Sequence, residues 1–246
     1  PPAPRPTIQA KRTFVTMSES APRLSVSVED YLKVIYTLSG SEETASTSGI
    51  AEALGVQPAS VTGMVKRLAE AGYLTHVPYR GVTLTPEGDR QALRVIRRHR
   101  IIETYLCTRL GYAWEDVHDE AERLEHAASE QLIERMADAL EGPTHDPHGA
   151  PIPTADGEIE DPAYPALADS VGDRLLVRAV ADDDPDRLRY LEERSVRPGV
   201  RLRVVDRAPF NGPITVRLTG VQGQPLGKSF VLGFDLASRI FVSAEV

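Results

Sequence analysis

A chain of 246 residues that is 41% hydrophobic and 26% charged has the composition of an ordinary globular protein of one to three domains, which excludes collagen-like, mucin-like and wholly disordered classes. Its one cysteine, Cys107, rules out a disulfide-built scaffold and fits a reducing compartment, and no apolar window approaches membrane-spanning length. The net charge of −8 argues against a general polyanion binder, but it is unevenly spread: residues 101–168 hold three bases against sixteen acids, while residues 28–100 and 169–246 are near balance.

Residues 1–23, with Pro1, Pro2, Pro4 and Pro6 and no apolar period, read as a disordered leader without a secretory h-region. Met17 followed by Ser18-Glu19-Ser20 looks like a natural start, with 1–16 an upstream extension. From Ser27 the pattern is helical. Ser27 and Asp30 resemble a capping box, and Tyr31, Ile35 and Leu38 follow at helical spacing. Thr47 to Leu54 predicts a short helix, and Gly55-Val56 a turn. Pro58 opens a second helix through Val61, Val65 and Leu68 that Gly72 ends. Tyr73–Val77 and Val82–Thr85, around Tyr79-Arg80-Gly81, predict a hairpin. Helix, turn, helix, hairpin is the order of a winged helix-turn-helix.

Thr85-Pro86-Glu87-Gly88 starts a long helix through Leu93, Ile96, Ile101 and Leu106, with Gly111 after it. Arg94, Arg97, Arg98 and Arg100 on it could meet phosphates. A further helix is expected from about Glu115 to Leu140, with Leu124, Ala128, Leu132 and Met136 on one stripe. Residues 142–165, rich in Pro, Gly and Asp, read as a linker or extended excursion in which nothing fixes His145 or His148. Beyond Ser170 the period falls to two. Five strands near 175–180, 200–205, 214–218, 229–232 and 239–242, with one helical insertion at 186–194, predict a small barrel.

Two constellations carry chemistry. On the helix opened by Pro58, Val61, Val65 and Leu68 face the core, which leaves Gln57, Ser60, Thr62, Lys66 and Arg67 for bases and phosphates, with Arg80 at the wing tip. A helical hairpin with a solvated face is the plainer alternative, and the wing favours DNA. The second is stronger. His118, Glu122, Glu125 and His126 lie at i, i+4, i+7 and i+8 on one helical face, and His99 and Glu103 lie at i, i+4 on the helix before. A His–Glu pair at this spacing is usually a surface pair, but two such pairs plus adjacent Glu125-His126 favour a metal held by nitrogen and oxygen ligands. Cys107, Tyr112 and Trp114 read as packing residues.

Val28-Glu29-Asp30-Tyr31-Leu32-Lys33-Val34-Ile35-Tyr36, Arg98-His99-Arg100-Ile101-Ile102-Glu103, Val117 to His126, and Gly149-Ala150-Pro151-Ile152-Pro153 together resemble the diphtheria toxin repressor-like family of metal-dependent transcriptional regulators. The resemblance runs from Ser27 to the C-terminus. It implies a mainly α protein with a small β domain: a winged helix-turn-helix at 27–92 after a leader at 1–26, a helical dimerisation and metal-binding domain at 93–165, and an SH3-like barrel at 169–246. It implies two metal positions per subunit. The primary one resembles Asp30, Glu122, Glu125 and His126; the ancillary one resembles His99, Glu103 and His118, with Asp184 from the C-terminal domain. Iron-responsive members place Met and Cys where this chain has Asp30 and Glu122, and hard carboxylates suit Mn²⁺ better. Two-domain manganese regulators often carry Glu where Lys33 stands, which argues against a binuclear arrangement using that position and leaves the role of Lys33 open, a charge-compensating contact being one option. Gly63 replaces a long polar base-reading residue, which shifts operator contacts to Gln57, Ser60 and Thr62.

The reading is a cytoplasmic homodimer, not an enzyme, that touches no membrane and takes no small-molecule substrate. It binds a palindromic operator in double-stranded DNA when Mn²⁺ locks the operator-binding arrangement. Response to Fe²⁺ is the alternative; a metalloenzyme and a constitutive architectural DNA binder are the readings from other classes.

Overall fold

The structure, a computed structural model, describes residues 24–42, 44–77, 80–160, 163–170, 172, 174–181 and 184–245. The leader expected at 1–23 lies outside them. Among the described residues no helix is long and apolar enough to cross a membrane.

The first unit holds α1 (Val26–Glu42), α2 (Thr47–Ala53), α3 (Pro58–Glu70), β1 (Leu74–Val77) and β2 (Gly81–Leu84). The Ser46 hydroxyl caps α2 by accepting from the Gly49 N–H at 3.0 Å, and Pro58 opens α3, where a missing N–H costs nothing. Val61, Val65 and Leu68 are buried against Leu32, Ile35 and Ile50, as the sequence period requires. The hairpin pairs Leu74 with Leu84 through Val77 with Gly81. Ala45 adds a bridge to its outer edge, exchanging both backbone hydrogen bonds with Val82. Gly81, at φ +125°, sits where a Cβ would come within 2.1 Å of the Ala45 carbonyl oxygen, so only glycine closes this wing. The expected capping box at Ser27 does not form the start. The helix begins at Val26, and the Asp30 carboxylate lies against His126 instead.

Helix α4 (Pro86–Leu110) is capped by the Thr85 hydroxyl and ended by Gly111 in the left-handed region. The expected boundary at 92–93 falls inside it. Its start packs in the first core through Ala92, and Ile101, Ile102 and Leu106 pack in a second. The single helix expected over 115–140 is two: α5 (Val117–Glu125) and α6 (Glu130–Ala139). Ser129 breaks it, because its hydroxyl accepts from the Leu132 N–H and starts a new helix. The buried stripe changes with the break: Val117 and Ala121, then Ile133 and Ala137, are buried, whereas Leu124 and Leu132 are exposed.

Residues 143–160 form no helix or strand, yet they are fixed. Arg97 donates to the Pro153 carbonyl at 2.8 Å and Arg100 to that of Pro151. The Asp146 carboxylate accepts from the N–H groups of His148 and Ala150. Gly149 presses on a strand of the next unit, where a Cβ would lie 2.1 Å from the Arg178 carbonyl oxygen. Arg97, Arg98 and Arg100 therefore face the protein, not phosphates; of the expected arginine cluster only Arg94 is exposed.

The C-terminal unit has β3 (Arg174–Val180), α7 (Pro185–Glu192), β4 (Arg201–Arg207), β5 (Ile214–Thr219), β6 (Pro225–Leu232), α8 (Phe234–Ala237) and β7 (Ile240–Ala244). All neighbours are antiparallel, in the order β6-β5-β4-β3-β7. The expected SH3-like barrel is thus incorrect: the sheet is open, with β6 and β7 at opposite edges. The outer edge of β7 is covered by residues 165–167, through Leu167 N–H to Ile240 O (2.6 Å) and Val242 N–H to Pro165 O (3.0 Å). Leu188 and Leu191 of α7 are buried in the core beside Val177, Leu202 and Val216, so the sheet is sealed by helix and need not close on itself. Trp114, from the loop before α5, is buried in this same core.

Candidate metal centre and nucleic-acid interface

Helices α1, α4 and α5 converge on a set of carboxylates and imidazoles. The i, i+4 spacing puts His99 and Glu103 on one face of α4, and His118, Glu122 and Glu125 along the inner side of α5, with His126 just past its end. Helix α1 brings Glu29, Asp30 and Lys33. A cleft of about 620 Å³ between α1 and α5 is lined by Asp30, Lys33, His118, Glu122 and His126.

Among the described residues, three groups have their ligand atoms within 4.8 Å of one another: Asp30, Glu125 and His126; His99, His118 and Glu122; and Glu103, Asp146 and His148. In the first, His126 Nε2 lies 2.9 Å from Asp30 Oδ1 and 3.5 Å from Glu125 Oε1. The other ring nitrogen, Nδ1, donates to Glu29 Oε2 at 2.7 Å. Glu29 is buried and ion-paired with buried Arg98 at 2.6 Å, and Arg98 also reaches Glu130 of α6 at 3.0 Å. This fixes the His126 ring and turns Nε2 towards Asp30, the arrangement in which an imidazole serves as a metal ligand. In the second group, His99 lies 2.5 Å from Glu125 through Nδ1 and 3.0 Å from Glu103 through Nε2, and its ring meets that of His118 edge-on at 4.9 Å. Glu122 stands 3.9 Å from both imidazoles, so it joins His99 and His118 more closely than Asp30. Between the two groups lies the Lys33 ammonium, which donates to Glu122 at 2.5 Å and to both oxygens of Glu125 at 3.0 Å.

The charges follow. Burial alone pushes the His99 imidazolium down, but hydrogen bonds to Glu103 and Glu125 outweigh it and raise its pKa to about 9. Burial pushes Glu103 up, and the hydrogen bonds from His118 and His99 overcome it, leaving the carboxyl well below its usual range. Burial raises Asp30, partly opposed by His126. Burial likewise opposes ionisation of Glu122, but Lys33 beside it holds its carboxyl low. Glu125 has no solvent exposure at all. A buried carboxylate must be compensated, and here a proton and an ammonium do it. Hard oxygens and borderline imidazole nitrogens in this number fit a divalent first-row cation.

The third group is a loop anchor. One Asp146 oxygen is committed to two backbone N–H groups, and the other lies 3.6 Å from the Arg100 guanidinium. His148 donates from Nε2 to the Trp114 carbonyl at 2.9 Å and stacks on its indole. His148 is therefore fixed, contrary to the expectation; Asp146 two residues before it, opening an Asx turn onto Gly149, was the available signal. Asp184 is not brought to any of the three groups. Its carboxylate caps α7 by accepting from the Asp186 N–H at 2.9 Å. Glu29 and Arg98 were missed, although Glu29 is a charge on the buried stripe with Val28 and Leu32. Cys107 is half-buried, and burial pushes its thiol up to about 11, which suits packing.

Gln57 at the N-cap of α3 and Ser60, Thr62, Lys66 and Arg67 on it are all exposed, as is Arg80 at the wing. The Thr62 hydroxyl donates to the Pro58 carbonyl, and Lys66 stands 4.0 Å from Glu70, an exposed pair that is easily exchanged for a phosphate.

Residues 23–82 match the N-terminal DNA-binding domain of iron-dependent repressors, and residues 85–154 match their metal-binding and dimerisation domain. The regulator MntR of Lysinibacillus sphaericus is 41% identical over 115 residues, which is 47% of this chain and 82% of that protein. The chain belongs to the DtxR/MntR family of metal-dependent transcriptional regulators. MntR of Bacillus subtilis is 38% identical over 47% of this chain and 80% of its own length. A solved structure described as a manganese-dependent transcriptional repressor in complex with manganese is 40% identical, covers 89% of this chain and all of its own, and superposes with a TM-score of 0.79. The IdeR structure of T. acidophilum is 28% identical with a TM-score of 0.72, over 91% of this chain and all of its own. Two of the solved structures the chain resembles, at 40% and 36% identity, are described as manganese-dependent transcriptional repressors. Residues 170–244 match the FeoA domain, which replaces the SH3-like expectation for the C-terminal unit.

Proposed function

We propose that this DtxR/MntR-family chain is a cytoplasmic, Mn²⁺-dependent repressor of metal-homeostasis genes whose homodimer binds a palindromic operator. Asp30, Glu125 and His126 form the primary position, and His99, Glu103 and His118 form the ancillary one; Glu122, which stands beside His99 and His118, would have to turn to join the primary position. The observation that carries this is the 2.9 Å approach of Asp30, on the first helix of the DNA-binding unit, to His126 at the end of α5. A bound divalent ion would supply the positive charge that ties the carboxylate of α1 to those of α5. Asp30 thereby fixes the winged unit on the dimerisation helices, and with it the spacing of the two α3 helices against two half-sites. Metal binding favours that arrangement by its differential affinity for it. Gln57, Ser60 and Thr62 read base edges, while Lys66, Arg67 and Arg80 contact phosphates.

With Glu122 turned in, the ligands are three carboxylates and one imidazole at the primary position, with no thiolate or thioether, which supports Mn²⁺ over Fe²⁺. Operator affinity measured by fluorescence anisotropy should be high in Mn²⁺ and lost in chelator, and Asp30→Ala should bind DNA weakly in both. Equal affinity with and without chelator would leave a constitutive binder; a stronger anaerobic response to Fe²⁺ would reassign the metal.

A further inference from the structure

The Lys33 ammonium is more than a neighbour of the metal-binding groups. It contacts Glu122 from one group, both oxygens of Glu125 from the other, and lies 3.2 Å from His99 Nδ1. The side chain is only 18% exposed, and Lys33 lines the cleft between α1 and α5. The geometry points to Lys33 as a resident cation of the centre: it compensates the charge of Glu122 and Glu125 in the metal-free chain, and it competes with the incoming metal for their oxygens. This rests on the metal-site reading above and adds to it a residue that sets the affinity.

The physical argument is one of shared acceptors. A carboxylate oxygen at 3.0 Å from an ammonium must exchange that contact before it can serve as a ligand. The stem of Lys33 is flexible enough to withdraw the charge into the cleft. Withdrawal leaves a positive charge near any ion in either group, and in a half-buried site such repulsion is weakly screened. Lys33 therefore stabilises the empty centre and weakens the filled one, so the sensor responds at a higher free metal concentration than its carboxylates alone would set.

The test uses the full chain stripped of metal, with Lys33→Met, which keeps the stem and removes the charge, and Lys33→Arg, which keeps the charge. Thermal unfolding in chelator should fall by roughly 2–6 °C for the Met variant. Its Mn²⁺ affinity by titration calorimetry should rise about tenfold, and the Arg variant should stay near the parent in both. Opposite signs in the two measurements are the signature, because a scaffold residue would lower both. Lys33→Gln carries the same expectation if Met at this position prevents folding. A Met or Gln variant with unchanged or weaker Mn²⁺ affinity overturns the proposal. Absence of Mn²⁺ binding in the parent overturns the metal-site reading itself.

Discussion

Glu29 illustrates how much a single side chain can join. Its two oxygens divide between His126 and Arg98, at 2.7 and 2.6 Å, and Arg98 continues to Glu130. Both members of the Glu29–Arg98 pair are almost wholly buried. Removing one partner strands a charge, so Glu29→Ala should cost about 3–5 kcal/mol in the metal-free chain. Urea unfolding in chelator checks this, and Arg98→Ala should not add to it, since the two act on one interaction. A loss under about 1 kcal/mol would mean the pair is solvated in solution. His99 makes a second residue-scale prediction. Its pKa rises from 6.5 to about 9 on folding, because Glu103 and Glu125 outweigh burial. A raised value stabilises the fold fully below about pH 6.5 and less as pH climbs through about 9, with a limiting slope of about 1.4 kcal/mol per pH unit. The groups facing it are Glu103, Glu125, Glu122, Lys33 and His118. The urea midpoint of the metal-free chain should therefore fall from pH 7 to 9.5, and His99→Gln should flatten that fall. A midpoint rising over the range would reverse the sign assigned to His99.

At the scale of elements, α3 separates its two faces cleanly, with Val61, Val65 and Leu68 inside and the polar set outside. With Lys66 and Arg80 assigned to phosphates, replacing either by Ala should weaken binding to every operator and lower the salt slope by roughly one contact. Replacing Gln57 or Thr62 should relax discrimination between operators, by about 1–3 kcal/mol at the base concerned. Salt titrations on two operators differing at one position separate the two classes. The Thr62 hydroxyl already donates to Pro58, so Gln57 should show the larger change. The break between α5 and α6 is equally an element-scale matter: Ser129 starts α6, and that start brings Glu130 to Arg98.

Across the whole molecule, the helical and C-terminal units are joined by Trp114 and by the loop at 146–150. Trp114 is 4% exposed in the core of the C-terminal unit, and its ring carries His148. The His148 carbonyl accepts from the Val180 N–H of β3 at 2.8 Å. Trp114→Ala should destabilise the junction by about 3–5 kcal/mol, while Trp114→Phe, which keeps the apolar body, should cost less. The indole Nε1 has no hydrogen-bond partner among the described residues, so Phe loses no polar contact there. Thermal unfolding followed by circular dichroism is the check, and equal losses for Ala and Phe would show that the ring does not fill the junction.

Sequence by itself determined what periodicity and local chemistry encode. The helix-turn-helix with its wing, the exposed face of α3, the five strands and the i, i+4 placement of His99, Glu103, His118 and Glu122 all follow from spacings of two, three or four residues. Such spacings say which side of an element is apolar; they do not say what stands opposite. Only the tertiary structure decided that Glu122 sits with His99 and His118, that Glu29 and Arg98 support His126, and that Lys33 lies between the groups. It also turned Arg97, Arg98 and Arg100 inward and left the C-terminal sheet open, because α7 and residues 165–167 supply the cover that a barrel would have found in its own strands. Alternating strands look the same in an open sheet and a closed one. The difference lies in edge pairing between residues far apart in the chain, which no local pattern records.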